Sequence, residues 1–262
     1  MLALDHSSDG RILVSGSKDK TARVWAPMVS EENDAWGYGC VGLCEGHAES
    51  VGAVAMARGG GGGDGANPTT FMFTGSQDRT IKMWDLSSLP AHFSSSSAEV
   101  VHCKSLTTHK AHEKDINSLD VSPNDRFLVS GSQDRTAKIY EIIYTSSARG
   151  ELKLLGTCKG HKRGVWCVRF SSHERVVATG SGDKTVKLWS MDDYSCLRTF
   201  EGHTNSVLRV DWLRGVGGLQ LVSAGSDGLL KVWNVKEEEC VATLDGHEDK
   251  VCFLWMASFF FF

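Results

Sequence analysis

Five times along the chain an Asp stands six residues before an aromatic that closes a strand-like run: Asp19 to Trp25, Asp78 to Trp84, Asp134 to Tyr140, Asp183 to Trp189 and Asp227 to Trp233. A Gly-Ser pair precedes each Asp, directly or across one residue. Four residues before each Asp lies a hydroxyl, namely Ser15, Thr74, Ser130, Thr179 and Ser223. A His that follows Gly or Ala stands ahead of four of these units, at His47, His112, His161 and His203, and one more Gly-His falls at His247. The aromatics are spaced 59, 56, 49 and 44 residues apart. Self-similarity at such a period constrains the chain to an array of like units, each burying its apolar faces against its neighbours.

Each unit reads as three short alternating strands and a looser fourth. In the fourth unit, residues 164–170, 175–180 and 185–189 alternate apolar with polar, with turn residues between them. Residues 195–200 supply an outer strand that leads into Gly202-His203. Four strands with a Gly-Ser-X-Asp turn between the second and third describe a β-propeller blade, so the predicted class is all-β. Five blades are recognisable, at about 1–44, 45–106, 107–157, 158–200 and 201–244. A partial sixth spans 245–256, and 257–262 is an apolar tail rather than a domain. The first blade lacks its His because the chain opens inside its inner strand. An array that stops inside its sixth unit leaves strand edges unpaired, so the natural protein is expected to continue beyond Met256.

The repeated polar residues have a physical role in such a blade. With the His at the start of the inner strand, the turn Asp accepts its ring N–H. The His then bonds the Ser or Thr hydroxyl, whose oxygen accepts the Trp indole N–H. Each bond contributes about 1 kcal/mol net and leaves no buried donor unmatched. Ser, His and Asp are also the parts of a hydrolytic triad, but catalysis needs one exposed nucleophile beside an oxyanion hole. Five copies, most ending on an indole, point to structure, and no other catalytic constellation is found. Tyr140 replaces Trp in the third unit, so that relay must end on a phenol of different reach.

Composition narrows the function classes further. With a formal charge of −4 and no basic run longer than Lys162-Arg163, the chain is not expected to hold nucleic acid by itself. Eight Cys without a signal peptide read as reduced thiols inside a cell, and no apolar stretch is long enough to span a bilayer. The glycine run between Arg58 and Asn67 lacks the Gly-Lys-Ser/Thr of a phosphate loop and reads as a hairpin insertion. Residues 87–98 form a Ser-rich linker, and Pro27–Gly39 lengthens the first blade connection. Cys40, Cys44 and His47 are close in sequence. Yet Cys40, Cys196 and Cys240 each fall seven residues before a repeat His, which marks an outer-strand position rather than a ligand set. His102, Cys103, His109 and His112 form a looser cluster. No metal, cofactor or small-molecule substrate is expected.

The combination of His, Ser/Thr, Asp and Trp at fixed offsets resembles the WD-repeat family over nearly the whole chain. Propellers of that family usually close with seven blades, so the resemblance implies a fragment of a seven-bladed β-propeller. Residues 111–118, 122–125, 131–138, 160–168, 200–208 and 239–251 go beyond generic repeat residues. They are similar to the second propeller of the transducin-beta-like-three family of small-subunit processome subunits. That resemblance implies a nucleolar, non-catalytic scaffold for pre-ribosomal RNA processing and 40S subunit assembly. It also implies that the partners are other WD-repeat processome subunits, with pre-ribosomal RNA in the same particle reached indirectly, and no membrane. Residues just after each repeat His and just before each turn Asp should line one rim. Mixed charge there favours protein partners, and Glu113, Asp115, Gln133, Lys162 and Arg163 are the candidate contacts. A cullin-ligase substrate receptor would carry Arg three residues after the repeat aromatic. Here those positions hold Met28, Ser87, Ile143, Asp192 and Lys236. A generic signalling scaffold is the other alternative.

Overall fold

A computed structural model describes residues 2–29, 36–59, 71–89, 100–145, 149–213 and 219–252. The described residues form twenty-one strands. β1 (Ala3–His6), β2 (Leu13–Gly16), β3 (Ala22–Val29) and β4 (Trp36–Cys44) make a first sheet. β5 (Val51–Met56), β6 (Phe71–Ser76) and β7 (Thr80–Asp85) begin a second. Between them β8 (Val101–His102) adds to the first sheet, parallel to β4, and β9 (Lys104–Lys110) closes the second as its outer strand. The remaining strands fall into three four-stranded sheets in chain order. These are β10 (Ile116–Val121), β11 (Phe127–Ser132), β12 (Thr136–Thr145) and β13 (Arg149–Lys159); β14 (Val165–Phe170), β15 (Val176–Ser181), β16 (Val186–Ser190) and β17 (Cys196–Phe200); and β18 (Val207–Leu213), β19 (Gln220–Gly225), β20 (Leu230–Asn234) and β21 (Glu239–Leu244). This is the all-β, sheet-per-repeat architecture that the period demands.

The fourth repeat shows how closely alternation predicts strands: each observed strand begins within one residue of the expected one. Pro27–Gly39 behaves differently from a lengthened connection. Pro27 pairs with Tyr38, Met28 with Gly37 and Val29 with Trp36, so both flanks of the insertion extend the β3–β4 ladder. The glycine-rich stretch beyond Gly59, most of the Ser-rich linker, and the sixth inner strand and tail beyond Cys252 lie outside the described residues.

Compactness divides the chain into two units. The first holds residues 1–130 and 138–155, and the second holds 131–137 and 156–262. The first unit has two cores. One gathers Phe71, Phe73, Ile81, Met83, Ile116, Leu128 and Tyr140; the other gathers Val14, Val24, Val51, Met56, Met72 and Trp84. The second unit has a core around Cys167, Leu188, Val207, Val210, Trp212 and Trp233. The glycine of the Gly-Ser turn explains how tightly successive sheets approach. A Cβ on Gly75 would lie 2.7 Å from Ile116, at the start of β10. A Cβ on Gly180 would lie 2.8 Å from Val207, at the start of β18. Any larger side chain there would force neighbouring sheets apart. Among the described residues, no helix is long and apolar enough to cross a membrane.

Candidate functional site

The Gly-Ser-X-Asp turns share one geometry. The residue after the Asp adopts a left-handed conformation in every repeat: Lys20, Arg79, Arg135, Lys184 and Gly228, with φ between 71° and 80°. A side chain in that region is strained, and the Asp holds it there. Oδ1 of Asp19, Asp78, Asp134 and Asp183 accepts both the backbone N–H and the hydroxyl of the Thr two residues on, at 2.6–3.1 Å. Asp227 accepts the backbone N–H of Leu229 at 3.2 Å. The Ser two residues before Asp78, Asp134 and Asp183 accepts that Asp's own N–H. This side-chain capping is what lets a non-glycine residue take the left-handed position.

Three complete tetrads are brought together. In the second repeat His47 Nδ1 lies 2.8 Å from Asp78, its Nε2 lies 2.7 Å from the Thr74 hydroxyl, and Trp84 donates to that hydroxyl at 2.8 Å. His161, Asp183, Thr179 and Trp189 repeat the arrangement at the same distances. His203, Asp227, Ser223 and Trp233 do so again, with the Asp 2.9 Å away. The first repeat has only the lower half: Trp25 donates to Ser15 at 2.8 Å, while Asp19 serves its own turn. In the third, His112 Nε2 meets Ser130 at 2.7 Å, and the phenol of Tyr140 donates to the Ala111 carbonyl at 3.4 Å. The phenol thus reaches the backbone beside the repeat His, where Lys138 also donates.

Proton counting assigns the histidine form. The hydroxyl oxygen accepts from the indole and has one proton, which goes to Nε2, so Nδ1 carries the ring proton and gives it to the Asp. Burial pushes His47 and His203 below the usual histidine value, and nearby Lys82 and Lys231 add to this; the hydrogen bond and charge of the turn Asp oppose it. Burial works to raise Asp78 and Asp183. The hydrogen bonds from Thr80 and His47, and from His161 and Thr185, outweigh it and hold both carboxylates well below their usual range. The hydroxyls of Thr74, Ser130, Thr179 and Ser223 belong to residues with no exposed surface. A group so placed cannot attack a substrate from solvent. Cys40, Cys196 and Cys240 sit on outer strands, each paired across the ladder with the tetrad Trp of its sheet. Cys103 instead sits against Cys44, where a thiol–thiol hydrogen bond and burial raise the Cys44 pKa.

Of the rim candidates, Glu113 in the first unit is exposed and Asp115 half-buried. In the second unit Lys162 and Arg163 are exposed and Gln133 half-buried. The backbone of Lys162 is held by Asp183, 2.8 Å from its N–H, and the Ser181 hydroxyl donates to the carbonyls of Arg163 and Gly164. Two features were missed by reading the sequence. Arg58, taken as the edge of the glycine insertion, reaches Asp5 at 3.3 Å and Asp120 at 3.0 Å, and its N–H donates to Asp125. It ties β1, the end of β5 and β10 together. In the second unit Arg169 and Asp211, at the equivalent inner-strand positions, approach within 4.0 Å. The signal was present as Asp5, Asp120, Arg169 and Asp211 at one repeat position, but Ala55 breaks the series and Arg58 substitutes from three residues on.

The family described as WD domain, G-beta repeat matches residues 1–26, 38–85, 103–141, 152–190 and 194–234. The chain is 45% identical over 143 residues to Transducin beta-like protein 3 of Rattus norvegicus, a match that covers 54% of this chain and 16% of that protein. It is 39% identical over 140 residues to U3 small nucleolar RNA-associated protein 13 of Saccharomyces cerevisiae, covering 53% of this chain and 16% of that one. The matched part thus spans less than a fifth of either relative. The WD40 beta propeller domain of Doa1 superposes with a TM-score of 0.67 at 24% identity, over 95% of this chain and 70% of that structure. With its repeat matched across most of its length and a sheet formed for every repeat, the chain belongs to the WD-repeat family.

Proposed function

We propose that this chain is a non-catalytic scaffold of the small-subunit processome, working in the nucleolus in pre-ribosomal RNA processing and 40S assembly through protein contacts. The observation that carries this reading is the 45% identity to Transducin beta-like protein 3 over 54% of this chain. The likeness to a protein named for association with U3 small nucleolar RNA points the same way. The tetrads act here as blade fasteners: their hydroxyls are sealed from solvent and every polar atom in them is matched. Partner capture then falls to the rim, where Glu113, Asp115, Gln133, Lys162 and Arg163 are the contact candidates, and RNA is reached through partners. The partners in this reading are other WD-repeat processome subunits.

The test is affinity purification of the tagged protein from nuclear extract, with mass spectrometry of what co-purifies. Enrichment of processome WD-repeat proteins together with ribosomal RNA precursor supports the reading. Enrichment of cullin adaptors or a membrane-signalling complex instead overturns it. Reversing charge with Lys162→Glu and Arg163→Glu lowers that enrichment several-fold and leaves the melting temperature unchanged, because both side chains are exposed. Unaltered capture by the double variant removes this face from the reading.

A further inference from the structure

In the fourth repeat two rim positions that carry side chains elsewhere are both glycine. The residue before the turn Asp is Lys18, Gln77, Gln133 or Ser226 in the other repeats and Gly182 here. The third residue after the His is Ser50, Asp115 or Ser206 elsewhere and Gly164 here. Neither glycine has a positive φ, so the backbone does not call for them. Space does. A Cβ on Gly182 would lie 3.1 Å from the indole nitrogen of Trp166 and 3.4 Å from the Arg163 Cβ, and one on Gly164 would lie 3.1 Å from the Gln133 Cα. The Gly182 N–H donates to the Gly164 carbonyl at 2.9 Å, which joins the two into one shelf without side chains.

Trp166 borders this shelf and differs from the five other tryptophans whose side chains are described. The indoles of Trp25, Trp84, Trp189 and Trp233 donate to tetrad hydroxyls, and that of Trp212 to the Arg169 carbonyl. Trp166 is half-buried at the β14 bulge, between the fully buried Val165 and Cys167, and no described residue accepts from its indole N–H. Around it lie the exposed Lys162 and Arg163, with Arg135 and Lys184 exposed on the two turns that supply Gln133 and Gly182. The acids of those turns are turned inward. Asp183 spends both oxygens on His161, Lys162 N–H and Thr185, and Oδ1 of Asp134 is taken by Thr136. The shelf thus offers an unused indole donor and a guanidinium within a cationic surround.

We propose that the Gly164–Gly182 shelf binds an acidic linear peptide segment of a partner protein. A Glu or Asp carboxylate of the segment accepts from the Trp166 indole N–H and the Arg163 guanidinium, while its backbone lies over the two glycines. This deepens, and rests on, the reading of the chain as a protein-binding scaffold. Trp and Arg side by side are the residue types that dominate interface energetics. Single-stranded RNA fits less well, because it needs successive exposed ring faces on which bases stack. Trp166 is the one tryptophan of the second unit's described residues that is not buried, and it presents its N–H edge to the shelf.

The test measures fluorescence anisotropy of a labelled octapeptide of alternating Asp and Glu with the full chain. A neutral Ser-Gly octapeptide and an eight-nucleotide oligouridylate serve as competitors. Trp166→Phe keeps the ring and all charges while removing the N–H, and Arg163→Ala removes the guanidinium. A hydrogen bond to a charged group corresponds to about a tenfold to hundredfold change in affinity. Each variant is expected to weaken the acidic peptide by about tenfold or more, with an unchanged melting temperature, and Gly182→Val to block it. Glu151→Lys, exposed on β13 and outside the contact candidates, leaves that affinity unchanged. Equal peptide affinity in wild type and Trp166→Phe overturns the proposal, as does oligouridylate binding more tightly and losing affinity with the same substitutions. If processome proteins are captured while the acidic peptide fails to bind, only the shelf proposal falls. If the peptide binds through Trp166 and Arg163 while no processome protein is captured, only the processome reading falls.

Discussion

A single hydroxyl is the hinge of each tetrad. Thr179, with no exposed surface, accepts from the Trp189 indole and satisfies His161 Nε2 at 2.7 Å. Thr179→Val keeps the shape and strands both groups, so roughly 2–6 kcal/mol of stability should be lost, at about 1–3 kcal/mol for each unsatisfied group. Urea unfolding measures it, and Ser15→Ala in the His-less first repeat should cost less than half as much because only Trp25, itself half-buried, loses a partner. The same tetrads set a pH dependence. His47 and His203 are held below their unfolded value by burial. As pH falls through about 6.5 the unfolded chain therefore takes up protons first. Their contribution is complete above that pH and declines below it, down to the depressed folded value. The depressed Asp78, Asp183 and Asp227 act in the same direction at lower pH, with stability present above about 4 and lost as their folded values are passed. The urea midpoint should drop between pH 7.5 and 5.5, and His203→Gln should make that drop shallower whatever its effect at pH 7.5. A slope unchanged by His203→Gln would remove this histidine from the account.

Strands and turns were legible wherever a local rule governed them. Alternation located β14–β17 to within one residue, and the Asp-to-aromatic offset gathered three full tetrads because a β-hairpin fixes the register between turn and strand end. Legibility failed where a side chain answers to something distant in sequence. Pro27–Gly39, with its acids, read as connection, yet its flanks continue a ladder whose partners face each other only once the hairpin forms. Trp166 carried no signal of its own, since its free N–H depends on a glycine sixteen residues away in the next turn. Arg58 is the clearest case: its side chain is 26% exposed and shared by Asp5 and the almost fully buried Asp120. Removing a cation from buried carboxylates costs more than an exposed pair ever contributes. Arg58→Met should lower stability by roughly 2–4 kcal/mol, whereas Arg175→Met, which loosens the exposed pair with Asp192, should change it by under about 0.5 kcal/mol. Chemical denaturation of the two variants side by side decides between an ionic clamp and a surface ornament.

At the scale of the whole chain, a repeat array predicts that stability is assembled from nearest neighbours rather than from one shared centre. The structure gives that idea definite routes within a unit. Gly75 at the end of β6 is pressed against Ile116 at the start of β10, so the second sheet cannot loosen without releasing the first strand of the third. Gly180 and Val207 make the same junction between β15 and β18 in the second unit. Thr74→Val places a defect in the second sheet, at the hydroxyl shared by His47 and Trp84. Amide hydrogen exchange should then accelerate first in β6 and β7, next in β10 through the Gly75–Ile116 junction, and not in β18–β21. Thr179→Val should reverse the pattern, with β15, β16 and β18 exchanging faster and β5–β7 unaffected. An equal acceleration in all five sheets from either substitution would mean that the chain opens as one cooperative body. The tetrads would then be fastening the molecule as a whole rather than each its own sheet.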